Sequence, residues 1–381
     1  MVAEAAALAI ADLRAGIPAL QGKVYFNYGG QGPLLASARQ AIAATYDETD
    51  RLGPFSKAAL DWLNRRVADL RVTLAELFQT TPDRFALTES TTSGMNVPLW
   101  GLDWQPGDRL LLSDAEHYGI WAIAHRLQER FGIELAECPL MHSSDPVATL
   151  ERHLTDRTRM VLVSHVLWNT GRVMPLAQLA DCCHAHDALL ISDAAQSAGV
   201  LPVNLSATPV DGYAFTGHKW FCGPAGVGAL YLSESAQAQI RTTYTGWCGI
   251  YATETGADRY EVATSAYPLR HAWQAAIAQH DSYAPLPDRY RQQVGMVQLL
   301  WQRLRDLPGV RCLSDEPPAA GLVAFTLAGR TPAEVESALE ARSIYIRSMP
   351  DPICLRASVH YFTTIAEVDQ LVAAIAPLAI S

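Results

Sequence analysis

The stretch "AFTGHKWFCGPAGVGALYLS", residues 214–233, reads as a strand, a glycine-broken loop and a second strand. The apolar runs Ala214–Phe215 and Val227–Leu232 flank a histidine, Lys219, a tryptophan and three glycines. Lysine is among the residues least often buried without a partner, so its place at the mouth of a buried sheet needs a reason. The loop is too short for a parallel crossover, so 211–216 and 226–232 are expected to pair as an antiparallel hairpin.

Upstream, from about residue 85, short apolar runs alternate with helical patterns. "RFALTES", "RLLLSD", "IELAECPL", "RMVLVSHV" and "ALLISDAA" precede "GYAFTG" and "VGALYLS", with helices expected at 119–131 and 175–186. That rhythm predicts an α/β fold: a mostly parallel seven-stranded sheet covered by helices on both faces. After residue 265 long helical patterns give way to "GLVAFTLAG", "IYIRS" and "CLRASVHYF", which predicts a smaller α+β unit. The large unit is expected over 20–264, with 1–19 and 265–381 in the smaller one.

Composition narrows the class. With 381 residues, 49% hydrophobic and 18% charged, the chain is long enough for a large domain and a satellite. No apolar run reaches the roughly 18 residues of a membrane span. "MVAEAAALAIADLRAG" lacks a basic leader and reads as a short amphipathic helix. A net charge of −10 with no basic run argues against nucleic-acid binding. The seven cysteines form no CxxC pair, which predicts a reduced cytoplasmic setting and no metal site.

In open α/β sheets ligands bind beyond the carboxyl ends of the strands. In this sequence those ends are followed by "STTSGMN", "EHYG", "LWNTG", "DAAQSAG" and "GHKW". Lys219 is either an exposed loop lysine or an imine-forming one, and Asp193, 26 positions upstream at another strand end, decides between them. A lysine that bonds an aldehyde cofactor, opposite an aspartate that keeps a pyridine nitrogen protonated, is the pyridoxal-phosphate (PLP) arrangement. Alone, Asp193 has a second reading as a helix cap. "STTSG", residues 90–94, offers hydroxyls and free backbone N–H groups, as an N-cap or an anion site. His117 is a surface histidine or a ring stacker; Gln196 and Asn169 are turn amides or donors to the cofactor's phenolic oxygen.

With "DAAQSAG" followed by "AFTGHKW", the chain resembles the class V PLP enzymes, the aminotransferase and cysteine desulfurase superfamily. "YFNYGGQGPL", "LGPFS", "SHVLWNTG", "GHKWFCGPAGVG" and "EVATSAYP" look closer still to its cystine (cysteine) C–S lyase branch. The resemblance, over about residues 22–375, implies an aspartate aminotransferase-like PLP fold. It implies that Lys219 carries the cofactor, Asp193 pairs with the ring nitrogen, His117 stacks on the ring and Gln196 neighbours the phenolic oxygen. Thr91, Thr92, Thr216 and His218 would surround the phosphate. Thr264 would reach the phosphate of a neighbouring subunit, in a homodimer with shared sites. Arg356 matches the arginine that grips the substrate α-carboxylate, Arg347 a second arginine near the distal end of cystine, and Trp247 a wall of the pocket. Between Asn169 and Trp168 the place beside the cofactor stays open.

One departure carries information. Desulfurases of this superfamily bear a mobile-loop cysteine inside a "GHHC"-like stretch roughly fifteen residues before the carboxylate arginine. Here that region reads "ARSIYIRSMPDPICLR", with Ala341 near that spacing. Cys354 stands only two residues before Arg356, where a swinging nucleophile is implausible. The expectation is therefore β-elimination from cystine or cysteine to pyruvate, ammonia and a persulfide or sulfide. Desulfuration, transamination, epimerisation and a non-enzymatic binding role are the alternatives. Whether the sulfur supplies an acceptor for iron–sulfur cluster assembly or is a product of catabolism is open at this stage.

Overall fold

The computed structural model describes residues 10–251 and 255–379. Seven strands form the large sheet: β2 (Phe85–Thr88), β3 (Arg109–Ser113), β4 (Glu134–Cys138), β5 (Thr158–Leu162), β6 (Leu189–Asp193), β7 (Gly212–Thr216) and β8 (Gly228–Leu232). A short β1 (Val24–Tyr25) precedes them. The spatial order is β2-β8-β7-β6-β5-β3-β4. Only β8 runs against its neighbours, pairing antiparallel with both β2 and β7. The expected hairpin thus lies inside the sheet rather than at its end, and β2 is left parallel to β7.

Successive side chains of each strand feed opposite faces. Leu111, Val161, Leu190, Tyr213 and Phe215 join one core with Leu70, Phe78 and Trp273. Leu110, Leu112, Met160, Leu162, Ile191 and Leu230 join another with Leu99, Ile120 and Leu127. Both faces are apolar, so the inner strands appear in the sequence as largely hydrophobic runs, whereas the edge strand β4 carries Glu134 and Glu137.

The smaller sheet orders β12 (Arg347–Pro350), β13 (Ile353–Ser358), β10 (Leu322–Leu327) and β9 (Val310–Cys312), all antiparallel. One face packs Val323, Phe325, Leu355 and Ala357 against helices Leu286–Arg305, Pro332–Glu340 and Ile365–Ile375. The other carries Ala324, Met349 and Cys354 against Trp168 of the large unit. β1 pairs in parallel with β11 (Ile344–Tyr345), so the chain entering the large unit is stitched to the small one.

Residues 10–15 are helical, and Arg14 pairs with Glu367 at 2.7 Å; the first nine residues of the expected N-terminal helix lie outside those described. The expected boundary after residue 264 precedes helix Tyr267–Tyr283, whose buried Ala272, Trp273, Ala276 and Ile277 complete the core of the large sheet.

Candidate active site

The parallel strands bring their carboxyl ends to one edge, and a cavity of about 480 Å³ opens between that edge and the small sheet. Its wall includes Thr91, Thr92, His117, Asp193, Gln196, Thr216, His218, Lys219, Arg347 and Arg356, ten of the residues singled out in the sequence. Trp168 lines it as well, whereas Asn169 lies outside the wall and donates from Nδ2 to the Asp351 carbonyl at 2.9 Å.

Lys219 is held by a loop that its surroundings leave no freedom. The Cys222 N–H donates to the Lys219 carbonyl at 3.0 Å, and the Gly32 N–H to the His218 carbonyl at 2.7 Å. A Cβ on Gly32 would stand 2.1 Å from the Lys219 carbonyl oxygen, so only glycine fits this approach. Behind the loop, His360 Nε2 lies 3.0 Å from the Trp220 carbonyl and His280 Nε2 lies 2.9 Å from that of Phe221. Burial pushes the Lys219 amine down to about 8, partly offset by the Asp193 charge. Asp193 is itself buried; burial pushes its carboxyl up, against the opposing pull of Lys219 and a hydrogen bond from the Ala195 N–H at 2.8 Å.

His117 caps helix Tyr118–Phe131, its Nδ1 accepting from the Gly119 N–H at 3.1 Å. That bond requires a lone pair on Nδ1, and burial lowers the imidazole's proton affinity, so the ring is neutral. Trp168 meets it edge-on at 5.3 Å between centroids. Gln196 donates from Nε2 to the Gly29 carbonyl at 2.9 Å and accepts from Trp220 Nε1 at 3.0 Å, which leaves one N–H of its amide unspent.

At the other end of the cavity Ser90 caps helix Thr91–Gly101, accepting from the Ser93 N–H at 3.1 Å. Thr91 Oγ1 is buried without a hydrogen-bond partner. A lone hydroxyl at the positive end of a helix suits an anionic oxygen. His218 Nδ1 lies 2.7 Å from Thr216 Oγ1, and burial pushes its pKa down to about 4.

Arg356 closes the cavity from β13. It is 3% exposed, donates from Nη1 to the Trp168 carbonyl at 2.6 Å, and its Nε has no partner. Among the described residues no carboxylate pairs with it, and burial draws its pKa down to about 10. A buried cation so arranged awaits an anion. Arg347, directly opposite on β12, is more exposed and lies 3.4 Å from Glu336.

Two expected residues stand elsewhere. Trp247 is exposed, packs edge-on against Phe55 at 6.4 Å, and lines a separate cavity of about 830 Å³. Thr264 borders that cavity and another of about 760 Å³, at a left-handed φ of 52°.

The sequence reading missed Glu116, Ser164 and Asn27. Glu116 is a buried carboxylate beside His117; Ser164 lines the cavity, and Asn27 Oδ1 lies 3.5 Å from Arg356 Nη2. The signal for the first was an acid three residues past the end of a buried strand, in "EHYG".

A family model for aminotransferase class-V matches residues 57–371. The isopenicillin N epimerase of Streptomyces clavuligerus is 29% identical, over 91% of this chain and 93% of that protein. A probable cysteine desulfurase of Methanothermobacter thermautotrophicus is 26% identical, over 94% and 96%. Among solved structures, the cystine C–S lyase C-DES in complex with its reaction product cysteine persulfide is similar with a TM-score of 0.92 and 42% identity, covering 94% of this chain and 99% of that one. A C-DES mutant with glycine covalently linked to its PLP cofactor gives 0.91 and 42%, over 95% and 98%. With its fold, the lysine–aspartate pair at the sheet edge and a match over most of its length, the chain belongs to the aminotransferase class-V family.

Proposed function

We propose that the chain is a PLP-dependent carbon–sulfur lyase that removes the β-sulfur of cystine or cysteine by elimination. The orphaned Thr91 hydroxyl, the buried lysine–aspartate pair and the neutral His117 fit the phosphate, aldehyde, ring nitrogen and ring face of PLP. When bound, the cofactor supplies an electron sink for negative charge developing at the substrate Cα.

The chain's own groups do the rest. Arg356 takes the α-carboxylate in a charge-assisted fork. Lys219 Nζ accepts the α-proton. The Cβ–S bond then breaks with its electron pair on sulfur, which from cystine yields a cysteine persulfide anion. The three-carbon remainder hydrolyses to pyruvate and ammonia. The cross-strand pair of Arg347 and Arg356 suits a substrate with two carboxylates, as cystine has.

The observation that favours a lyase over a desulfurase is the state of the cysteines. None of the seven lines the cavity, and burial raises every one of their thiols; Cys354 sits at about 11. A sulfur-accepting thiol needs the thiolate and access. Product analysis on cystine tests the reading. Pyruvate and ammonia are expected, undiminished beyond about twofold in Cys354→Ser. Alanine as the product, or activity that vanishes with Cys354, would place the protein with the desulfurases; a racemised substrate, with the epimerases.

A homodimer is part of the proposal. What supports it is the exposed Tyr46, Phe55, Tyr244 and Trp247 around the two outer cavities that Thr264 borders.

A further inference from the structure

Glu116 is 4% exposed, and among the described residues no lysine, arginine or histidine forms an ion pair with it. Three donors meet it instead. Ser113 Oγ at the end of β3 donates to Oε1 at 2.6 Å. The Ser164 N–H beyond β5 reaches the same oxygen at 2.7 Å, and Ser164 Oγ reaches Oε2 at 2.9 Å. The carboxyl therefore clamps two strand ends together, between the residue that caps the next helix (His117) and one that lines the cavity (Ser164).

The third strand end lies alongside: the N–H of His165, next to Ser164, donates to the Asp193 backbone carbonyl at 3.0 Å, and the negative charge of Asp193 raises the Glu116 carboxyl. Asp193 lines the cavity while Glu116 stands outside its wall, and the charge of Lys219 acts on Asp193. Keeping a second acid there costs desolvation; a neutral glutamine would keep the two bonds to Oε1 but would meet Ser164 Oγ only with that hydroxyl turned from donor to acceptor. What glutamic acid adds is a second accepting oxygen and charge.

We propose that Glu116 is a positioning residue for the cofactor ring, supplying a second anion that reinforces Asp193 in keeping the ring nitrogen protonated. The inference rests on the reading of the cavity as a PLP site. Burial and Asp193 push the Glu116 carboxyl up to about 7, with the three hydrogen bonds pulling the other way, so its anion develops across neutral pH. Below that range the residue is neutral and does nothing electrostatic; above it, its charge favours a protonated pyridine nitrogen.

The test compares the affinity of the cofactor-free chain for PLP and for 1-deazapyridoxal phosphate, in which C–H replaces the ring nitrogen. Titration of Lys219 and of the phosphate affects both ligands alike and cancels in the ratio, while Asp193 and the ring nitrogen titrate in wild type and variant alike, so the difference between the two proteins isolates Glu116. In the wild type the preference for PLP is expected to grow roughly three- to tenfold from pH 6 to pH 8. In Glu116→Gln the ratio is expected to match the wild type at pH 6 and to fall short of it at pH 8 by that factor. Ser113→Ala keeps the charge but removes a hydrogen bond to the carboxylate, so the wild-type step should move to higher pH. That variant carries the test if Glu116→Gln does not fold. An unchanged step in Glu116→Gln, equal weakening of both ligands, or an unmoved step in Ser113→Ala overturns the inference while leaving the PLP site intact. Failure of the wild type to bind either ligand overturns both readings.

Discussion

The loop that carries Lys219 and the segment that carries Thr264 hold their residues in opposite ways. Around Lys219 the backbone of 217–223 is bonded to Gly32, His280, His360 and itself, and Trp220, Phe221 and Cys222 are all buried. Around Thr264 the chain runs between two cavities, Ala263 and Thr264 both take left-handed φ angles of 113° and 52°, and Tyr244, Trp247 and Ile250 are exposed. Firm anchoring begins only at the flanks, where buried Glu261 meets Arg71 at 2.6 Å and Arg270 at 3.2 Å, and Arg270 donates to Ser265 Oγ at 3.0 Å. The first region is fixed by bonds within one chain. The second holds a β-branched residue in a strained backbone between two cavities, a posture that fits the proposal that it serves another copy's site.

The self-contained half of this comparison meets its hardest test at Lys219. Replacing it by alanine should cost roughly a thousandfold or more in turnover, because it removes both the cofactor's anchor and the base. Borohydride should then fix no cofactor adduct on the protein. In the wild type the sign of the pH dependence follows from burial. Only the neutral amine attacks an aldehyde, and a pKa lowered to about 8 makes that form available earlier than in free lysine. Capture of PLP by the cofactor-free chain should therefore speed up roughly fivefold from pH 7 to 8 and level off near pH 9. A rate still climbing steeply at pH 10 would show a solvated lysine and break the contrast.

Arg356 tests the closure of the same cavity by the small sheet. Arg356→Ala loses a buried charge-assisted contact worth about 2 to 5 kcal/mol, hence at least tenfold in kcat/KM, since about 1.4 kcal/mol is a factor of ten. The exposed Arg347 should cost less, and only for substrates with a distal carboxylate. Steady-state kinetics on cystine and cysteine separate the two: Arg347→Ala should raise KM for cystine and leave cysteine within about twofold. Equal losses on both substrates would place Arg347 at the α-carboxylate too.

Much of this was legible in the sequence because the chemistry sits where strands stop. Apart from the edge strand β4, each large-sheet strand is largely buried on both faces and reads as a mostly apolar run, so its end, and the polar residue just beyond it, stands out. Asp193, His117 and Lys219 were found that way. Trp168 and Asn169 could not be told apart, because they follow β5 in an irregular loop with no period to say which faces the cavity. The Arg347–Arg356 juxtaposition depends on the register of two strands joined by a tight turn, which neither residue's neighbours announce. Glu116 was passed over beside a more conspicuous histidine, and Trp247 is tied to Phe55, a partner far away in sequence.

The open half of the comparison is tested in trans. If Thr264 completes the phosphate site of a second copy, Thr264→Ala should weaken PLP by about 1.5 to 3 kcal/mol, on the order of tenfold or more, the worth of one hydrogen bond to a charged oxygen. That loss alone does not say which copy is served, whereas a mixture with Lys219→Ala does. In a mixed dimer the Lys219→Ala protomer has a dead site but an intact Thr264, and the Thr264→Ala protomer keeps Lys219. A threonine acting across the interface rebuilds one full site in each mixed pair, so the mixture should regain wild-type PLP affinity in part of its sites, with turnover above either parent. A threonine acting within its own chain gives nothing beyond the average of the two. Light scattering at the same concentration sharpens the outcome: trans rescue requires the dimer, and a fully active monomer would make both regions complete in one chain.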